Sequence, residues 1–558
     1  MATERLKAPI MYGEQYFERV IREGGIYIDK TDYIAEMLRP DAGTQYFLSR
    51  PRRFGKTLLL TTLKTYFQGK KHLFEQRNLA LAVNPEYQTF LEWAEYPIVH
   101  LDFGFVSNEG SDNTDTLRST LGHVLQQAFR SASGNDDIPP YHSNQSLSTY
   151  FSRLLQDLYQ SWGSSVVILI DEYDRPLLDG LLKPETYSDI HAIMRDFYSA
   201  FKPSQDSIRF LFLTGISRFS KLSLFSTLNT LKDLTMEPSF NACVGFTEAE
   251  VYKTYDQHLE AIVAEQAISM ETLKANVRAW YNGYRWGGSE TVYNPIALSN
   301  YLTNKRFDSY WYNSGADSYY MVEKAKEYNL NLVEDLIQQS YPMNKIVTFE
   351  PNRIHMVGLL WQMGYLTIQE ESSTEDGLLY QFDFPNKDVK QAFLTNFIET
   401  CAPDLPSIRN WSAELAKGLN EVNAKIIEDC INNLFTSIPY RLLMNNSKKN
   451  REKWEGYYHS MLYTAFLFMN EDVRIEDPNR FGSRDLLLYR KNDSVWIMEV
   501  KHDPNTDANT LADMAMQQIH DKRYYQGLQK SVTNVYLLGI GVSNEGETAC
   551  QWEKYAPN

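Results

Sequence analysis

Up to about residue 235 the chain alternates short apolar runs with longer amphipathic stretches, the pattern of an α/β unit built on a largely parallel sheet. Runs over Gln45–Leu48, Ser165–Ile170 and Arg209–Thr214 predict strands, and Ile98–Phe103 predicts a fourth. The polar stretches Ser107–Asp115 and Ser131–Pro140 read as surface loops. From 246 to 345 the period turns helical, with aromatic clusters at Trp280–Trp286 and Tyr310–Gly315, as expected of a helical lid or adaptor. Ile354–Tyr365 is again helical. Two strands, Tyr365–Gln369 and Leu378–Phe384, follow across the polar turn Glu370–Gly377, which makes a winged-helix-like segment. A polar helical stretch over 388–445 leads to the basic run Ser447–Lys453, a linker by composition, and the remainder reads helix, strand, strand, helix, strand. The expected domains are 1–240, 241–345, 346–445 and 446–558.

Composition adds limits. A chain of 558 residues exceeds one domain several times over, and 43% hydrophobic with 23% charged residues is ordinary globular composition. Four scattered cysteines without a CxxC pair suggest neither a zinc site nor a disulfide framework, so a cytoplasmic location is expected. The Met1–Pro9 start lacks an exported leader's apolar core, and no apolar run approaches membrane-spanning length. The net charge of −16 repels polyanions, so a nucleic-acid contact requires a local basic patch.

The first candidate chemistry lies where strand meets helix. Arg53-Phe54-Gly55-Lys56-Thr57-Leu58 follows the apolar run ending at Leu48 and opens a helical one. Loop and helix-terminal N–H groups can cradle phosphate, Lys56 can reach terminal phosphate oxygens, and the Thr57 hydroxyl can ligate Mg²⁺. This points to a P-loop NTPase domain binding ATP and Mg²⁺. Arg50 stands where such loops have their first glycine, and a Gly-Lys-Thr turn without a ligand fits the same letters. The run Val166–Ile170 ending in Asp171 and Glu172 supplies the complement, with Asp171 holding the metal and Glu172 orienting the attacking water. Solvated acids at a strand end are the plainer alternative. At the next strand tip Thr214 is a candidate γ-phosphate sensor. Arg218 either neutralises developing charge, in cis or across a homo-oligomer interface, or forms an ordinary surface ion pair.

The second candidate site is C-terminal. Glu499 and Lys501 share one strand face, and a neighbouring strand carrying Asp485 completes a two-carboxylate, one-lysine cluster. Asp485 and Glu499 are hard ligands suited to Mg²⁺ or Mn²⁺. Lys501 would position or deprotonate water, Glu455 would add a helix-borne ligand, and Gln518 would orient the lysine or meet phosphate. An exposed strand face with a salt bridge explains the same spacing. The basic run Lys448, Lys449, Arg451 and Lys453 offers nucleic acid a positive surface, although such runs are usually just solvated.

These residues carry a resemblance. Tyr27-Ile28-Asp29-Lys30-Thr31, the loop Ser49–Thr57, Asp171–Pro176, Thr214–Arg218, Leu228–Asp233, Tyr281–Tyr284, Tyr293–Pro295, Gly364–Thr367 and Pro385–Lys387, in this order, resemble the bacterial AAA-ATPase-like family fused to a PD-(D/E)XK nuclease domain. The resemblance implies a C-terminal α/β restriction-endonuclease-like domain, places Asp485, Glu499 and Lys501 in its motif, and makes Arg50 part of the family's own loop. One departure is Gly482-Ser483-Arg484-Asp485, where the family has Gly-Arg-small-Asp, so Arg484 is expected on the opposite face. Two functions follow: an ATPase regulating a magnesium-dependent nuclease, or an ATP-driven signalling or scaffolding switch with a silent nuclease-like recognition module.

Overall fold

The computed structural model describes residues 8–106, 114–181, 184–218, 230–311, 333, 336, 339–347, 355–375, 377–439, 453–469, 471–479, 482–490, 493–528, 532–543 and 546–555. The chain forms two compact units, one of residues 1–316 with 340–388 and the other of 317–339 with 389–558.

In the first unit, strands β1 (Gln45–Ser49), β2 (Ile98–Asp102), β3 (Val166–Asp171), β4 (Ile208–Gly215) and β5 (Lys232–Asp233) form one sheet in the order β2-β3-β4-β1-β5. Every neighbouring pair is parallel. β1 and β3 are buried along their whole length, which is why they read as continuous apolar runs. Because β4 lies between β1 and β3, three strand tips converge where β1 enters the helix Lys56–Phe67 and β3 ends in Asp171. The flanking helix Leu147–Trp162 shows the local logic. Ser146 accepts the Thr149 N–H at its start, and Gly163 ends it with a left-handed φ of 66°.

The following segment is helical, over Glu248–Thr254, Asp256–Gln266, Met270–Tyr281 and Pro295–Asn304. Strands β6 (Phe246–Thr247) and β7 (Val292–Tyr293) pair beside it. Thr247 and Glu250 close the first helix with a capping box, and Asn294 caps the last. The resemblance segment Tyr27–Thr31 ties in here. Lys30 Nζ lies 2.7 Å from Glu250 and 2.8 Å from the Ala242 carbonyl, while Ile28 joins the core of Tyr255, Leu273 and Tyr301.

The helix Met356–Met363 is followed by a hairpin, with β8 (Ser340–Pro342), β9 (Thr367–Thr374) and β10 (Gly377–Asp383) in the order β8-β10-β9. The winged-helix-like segment is present, with a correction. Residues 370–374 are strand rather than turn, because they pair with β10 while both faces of this part of β9 remain exposed and need no apolar alternation.

In the second unit, helices Ile408–Glu421 and Ala424–Thr436 precede the helix Lys453–Phe468 and a sheet of β11 (Asp472–Asn479), β12 (Gly482–Tyr489), β13 (Ser494–His502), β14 (Asn534–Val542) and β15 (Thr548–Tyr555). The order follows the chain. Only β13 and β14 are parallel, joined across the helix Ala508–Asp521. That helix lies close on β14. A Cβ on Gly541 would fall 2.0 Å from the Ala508 carbonyl oxygen, so only glycine permits the approach. The expected helix-strand-strand-helix-strand order is incomplete: β11 and β15 are edge strands with polar residues, and edges carry weak apolar signals. The basic residues Lys448, Lys449 and Arg451 lie outside the described residues, as does most of the expected loop Ser107–Asp115.

Candidate functional sites

Gly55, with φ 97°, turns the chain from the loop into the helix Lys56–Phe67, and Arg53 takes a left-handed φ of 68° just before it. Lys56 is buried, and its Nζ donates to the Pro51 carbonyl at 2.9 Å. Burial lowers its pKa, against the pull of Asp171, Glu172 and Asp174. The Thr57 hydroxyl donates to Asp171 Oδ2 at 2.6 Å. Burial raises the pKa of Asp171, which the Thr57 hydrogen bond and Lys56 oppose.

A cavity of about 580 Å³ opens on this point. Arg53, Phe54, Gly55, Lys56, Thr57, Leu58, Asp171 and Glu172 line it together. Apolar side chains line it as well, among them Ile26, Ile28, Phe246, Tyr255 and Ile296, so the cavity combines charged and apolar walls. Arg175, which follows the strand-end acids in the chain, also lines the cavity, and so does Gly104, which sequence reasoning did not place there. Gly104 is detectable only in three dimensions, since a Cβ there would sit 2.9 Å from Glu172 Oε2.

Thr214 and Arg218 are not in the lining. The Thr214 hydroxyl is buried on β4 without a hydrogen-bond partner among the described residues. Arg218 Nε donates to Asp233 at 2.6 Å, and its backbone N–H to Gln362 Oε1 at 2.5 Å. Asp174, buried between the two strand tips, accepts from the Ile216 and Ser217 N–H groups at 3.0 and 2.6 Å and from the Ser217 hydroxyl.

In the second unit, the antiparallel register that pairs Leu486 with Met498 brings Asp485 level with Glu499. Asp485 Oδ2 accepts the Val500 N–H at 3.0 Å. Lys501 Nζ lies 2.9 Å from Glu455 on the helix Lys453–Phe468 and 3.2 Å from Glu499 Oε1. Gln518, from the crossover helix, donates to that same Glu499 oxygen and to the Tyr524 hydroxyl. Glu499 is fully buried, and its Oε2 has no hydrogen-bond partner among the described residues. Burial, reinforced by Asp485, pushes the Glu499 pKa up to about 8, and burial raises that of Asp485 as well. Burial disfavours charge on Lys501, but Glu455 and Glu499 outweigh it and hold the ammonium protonated.

Arg484 leaves this cluster. Its guanidinium, almost wholly buried, bonds Asp477 and the carbonyls of Tyr524 and Gln526.

Residues 11–225 match the family model described as "Predicted AAA-ATPase", and residues 453–552 match the PD-(D/E)XK nuclease superfamily. A protein of Azotobacter chroococcum mcd 1, described as "Uncharacterized protein in vnfD 5′region", is 31% identical over 548 residues, 98% of each chain. The chain belongs to the predicted AAA-ATPase family with a C-terminal PD-(D/E)XK nuclease superfamily domain.

For this AAA-ATPase-like protein the donor sets suit hard cations. Among the described residues no group of three or more His, Cys, Asp and Glu is arranged to hold a metal ion. Each site instead offers one or two carboxylates, the arrangement of Mg²⁺ sites completed by water and substrate phosphate. Buried Glu499 Oε2, with no donor among the described residues, fits such a cation: an enclosed oxygen lone pair without a donor is a cost that a bound metal removes. No described helix is long and apolar enough to cross a membrane.

Proposed function

We propose that the chain is an ATP-responsive, magnesium-dependent nuclease, in which nucleotide held at the phosphate loop governs phosphodiester cleavage at the Asp485–Glu499–Lys501 cluster. The observation that carries the cleavage half is Glu499, fully buried with Oε2 bare beside Asp485 and Lys501. A structural salt bridge alone gives no reason to enclose a second carboxylate so close.

At the C-terminal cluster Asp485 and Glu499 would hold Mg²⁺ or Mn²⁺, which neutralises charge on the scissile phosphate. Lys501, kept protonated by Glu455 and Glu499, acts as a charged donor to the phosphate or the attacking water rather than as the base. Gln518 fixes Glu499 through Oε1 and leaves Oε2 for the cation.

At the loop, Lys56 would exchange the Pro51 carbonyl for terminal phosphate oxygens. Thr57 and Asp171 would hold Mg²⁺, and Glu172 at the cavity wall would orient water for hydrolysis.

The test is a Mg²⁺- and Mn²⁺-dependent cleavage assay on DNA and RNA, with and without ATP, on wild type, Lys56→Ala and Asp485→Asn. Cleavage lost in Asp485→Asn and altered by ATP only when Lys56 is intact is the expected result; cleavage equal in all three removes the assignment. The net charge of −16 favours a second reading, an ATP-driven switch whose nuclease-like module is silent. That reading expects no cleavage by wild type and an ATP-dependent change in particle size that Lys56→Ala abolishes.

A further inference from the structure

Arg50 replaces the first glycine of the phosphate loop, yet its backbone does not need one. The left-handed residues of the loop are Arg53 and Gly55. The Arg50 side chain is wholly buried: Nη1 donates to the carbonyls of Ser49 and Thr235 at 2.8 and 2.9 Å, and Nη2 to that of Phe240 at 3.1 Å. The guanidinium lies 4.2 Å from the centre of the Trp286 ring. No carboxylate forms an ion pair with it among the described residues, and burial lowers its pKa. Burying a cation without a carboxylate partner is costly, and an apolar side chain of similar volume is often no less stable. Stability therefore does not explain the arginine. A planar fork can hold three carbonyls and an indole face in one fixed arrangement, which neither lysine nor methionine can do.

The other end of the loop rests on the same ledge. The Phe54 ring lies 4.7 Å from that of Tyr284 and 5.3 Å from that of Trp286, and its carbonyl accepts the Gly245 N–H at 2.9 Å. Trp286 thus touches both ends of the segment 50–54, joined at Phe54 by Tyr284, with the Lys56-bonded Pro51 carbonyl between them. We propose that Arg50 is a positioning residue for triphosphate binding: clamped on Trp286, it holds the loop amides in the convergent geometry that phosphate requires. This rests on the nucleotide reading above.

The test compares full-length Arg50→Lys, Arg50→Met and Trp286→Leu with wild type and Lys56→Ala, measuring Mg-ATP affinity by calorimetry beside the melting temperature. Arg50→Met takes the donor from three carbonyls and should melt below wild type, so affinity is read well below each variant's melting temperature; there both Arg50 variants should lose about tenfold or more, with no rescue by lysine. Trp286→Leu should lose a similar amount and add nothing further when combined with Arg50→Met. Wild-type affinity in Arg50→Lys or Arg50→Met overturns the proposal, as does an affinity loss that only follows a fall in melting temperature. If wild type binds no ATP, or Lys56→Ala binds equally, the nucleotide reading itself fails and the proposal fails with it.

Discussion

The Thr57 hydroxyl donates to Asp171 Oδ2 at 2.6 Å, joining residues 114 positions apart in the chain. The bond spans from the start of one helix to the end of β3, and under the proposed function these two side chains would help to hold Mg²⁺. Thr57→Ala and Asp171→Asn should each weaken Mg-ATP binding by about 10- to 100-fold, the equivalent of one or two charge-assisted hydrogen bonds. Binding of ATP without Mg²⁺ should change far less. Calorimetric titration with and without the metal checks both.

Asp174 gathers two backbone N–H groups and one hydroxyl from the tip of β4. Asp174→Ala leaves these donors buried and unpaired, and should cost roughly 3 kcal/mol or more in urea unfolding. It should also free Ser217 and the neighbouring Arg218 segment, read as faster amide hydrogen exchange there than in wild type.

Gly364 follows the helix Met356–Met363 with φ 89°, and a Cβ there would lie 2.7 Å from the Pro51 Cβ. Gly364→Ala therefore carries a left-handed penalty of about 1–2 kcal/mol and pushes on the phosphate loop as well. The expected result is a lower melting temperature together with weaker ATP binding. Unchanged ATP affinity in a destabilised variant would show that this contact is packing alone.

Asp388 is nearly fully buried, and its Oδ2 accepts the Trp311 N–H at 3.0 Å while Oδ1 has no hydrogen-bond partner among the described residues. Burial raises its pKa from 3.8 to about 8. The native state thus keeps a proton that the unfolded chain gives up above about pH 4, so stability falls as pH climbs from there toward 8. Asp388→Asn keeps the acceptor and removes the titration. Its stability gain over wild type should be small at pH 5 and on the order of a few kcal/mol at pH 8, measured by urea unfolding.

Much of the fold is legible in the pattern of residues. Continuous apolar runs mark β1, β3 and β4 because strands covered on both faces leave no polar alternation. β11, β15 and the outer part of β9 are not legible, because exposed edges accept polar side chains and are defined by pairing alone. The placement of candidate residues divides in the same way. Gly55, Lys56 and Thr57 are local to one turn, and Glu499 and Lys501 share a face by the period of a strand.

What the sequence by itself determined was therefore local: the turn into a helix, acids at a strand end, and two side chains on one strand face. The tertiary structure decided the rest. Sheet order set β4 between β1 and β3, register brought Asp485 level with Glu499, and the crossover helix delivered Gln518. Arg218 and Arg50 show the limit most plainly. Both are arginines that the sequence links to the Gly55–Thr57 loop, yet one pairs with Asp233 and the other lies buried against Trp286. Their partners come from distant segments, and no local periodicity encodes which segments a folded core brings together.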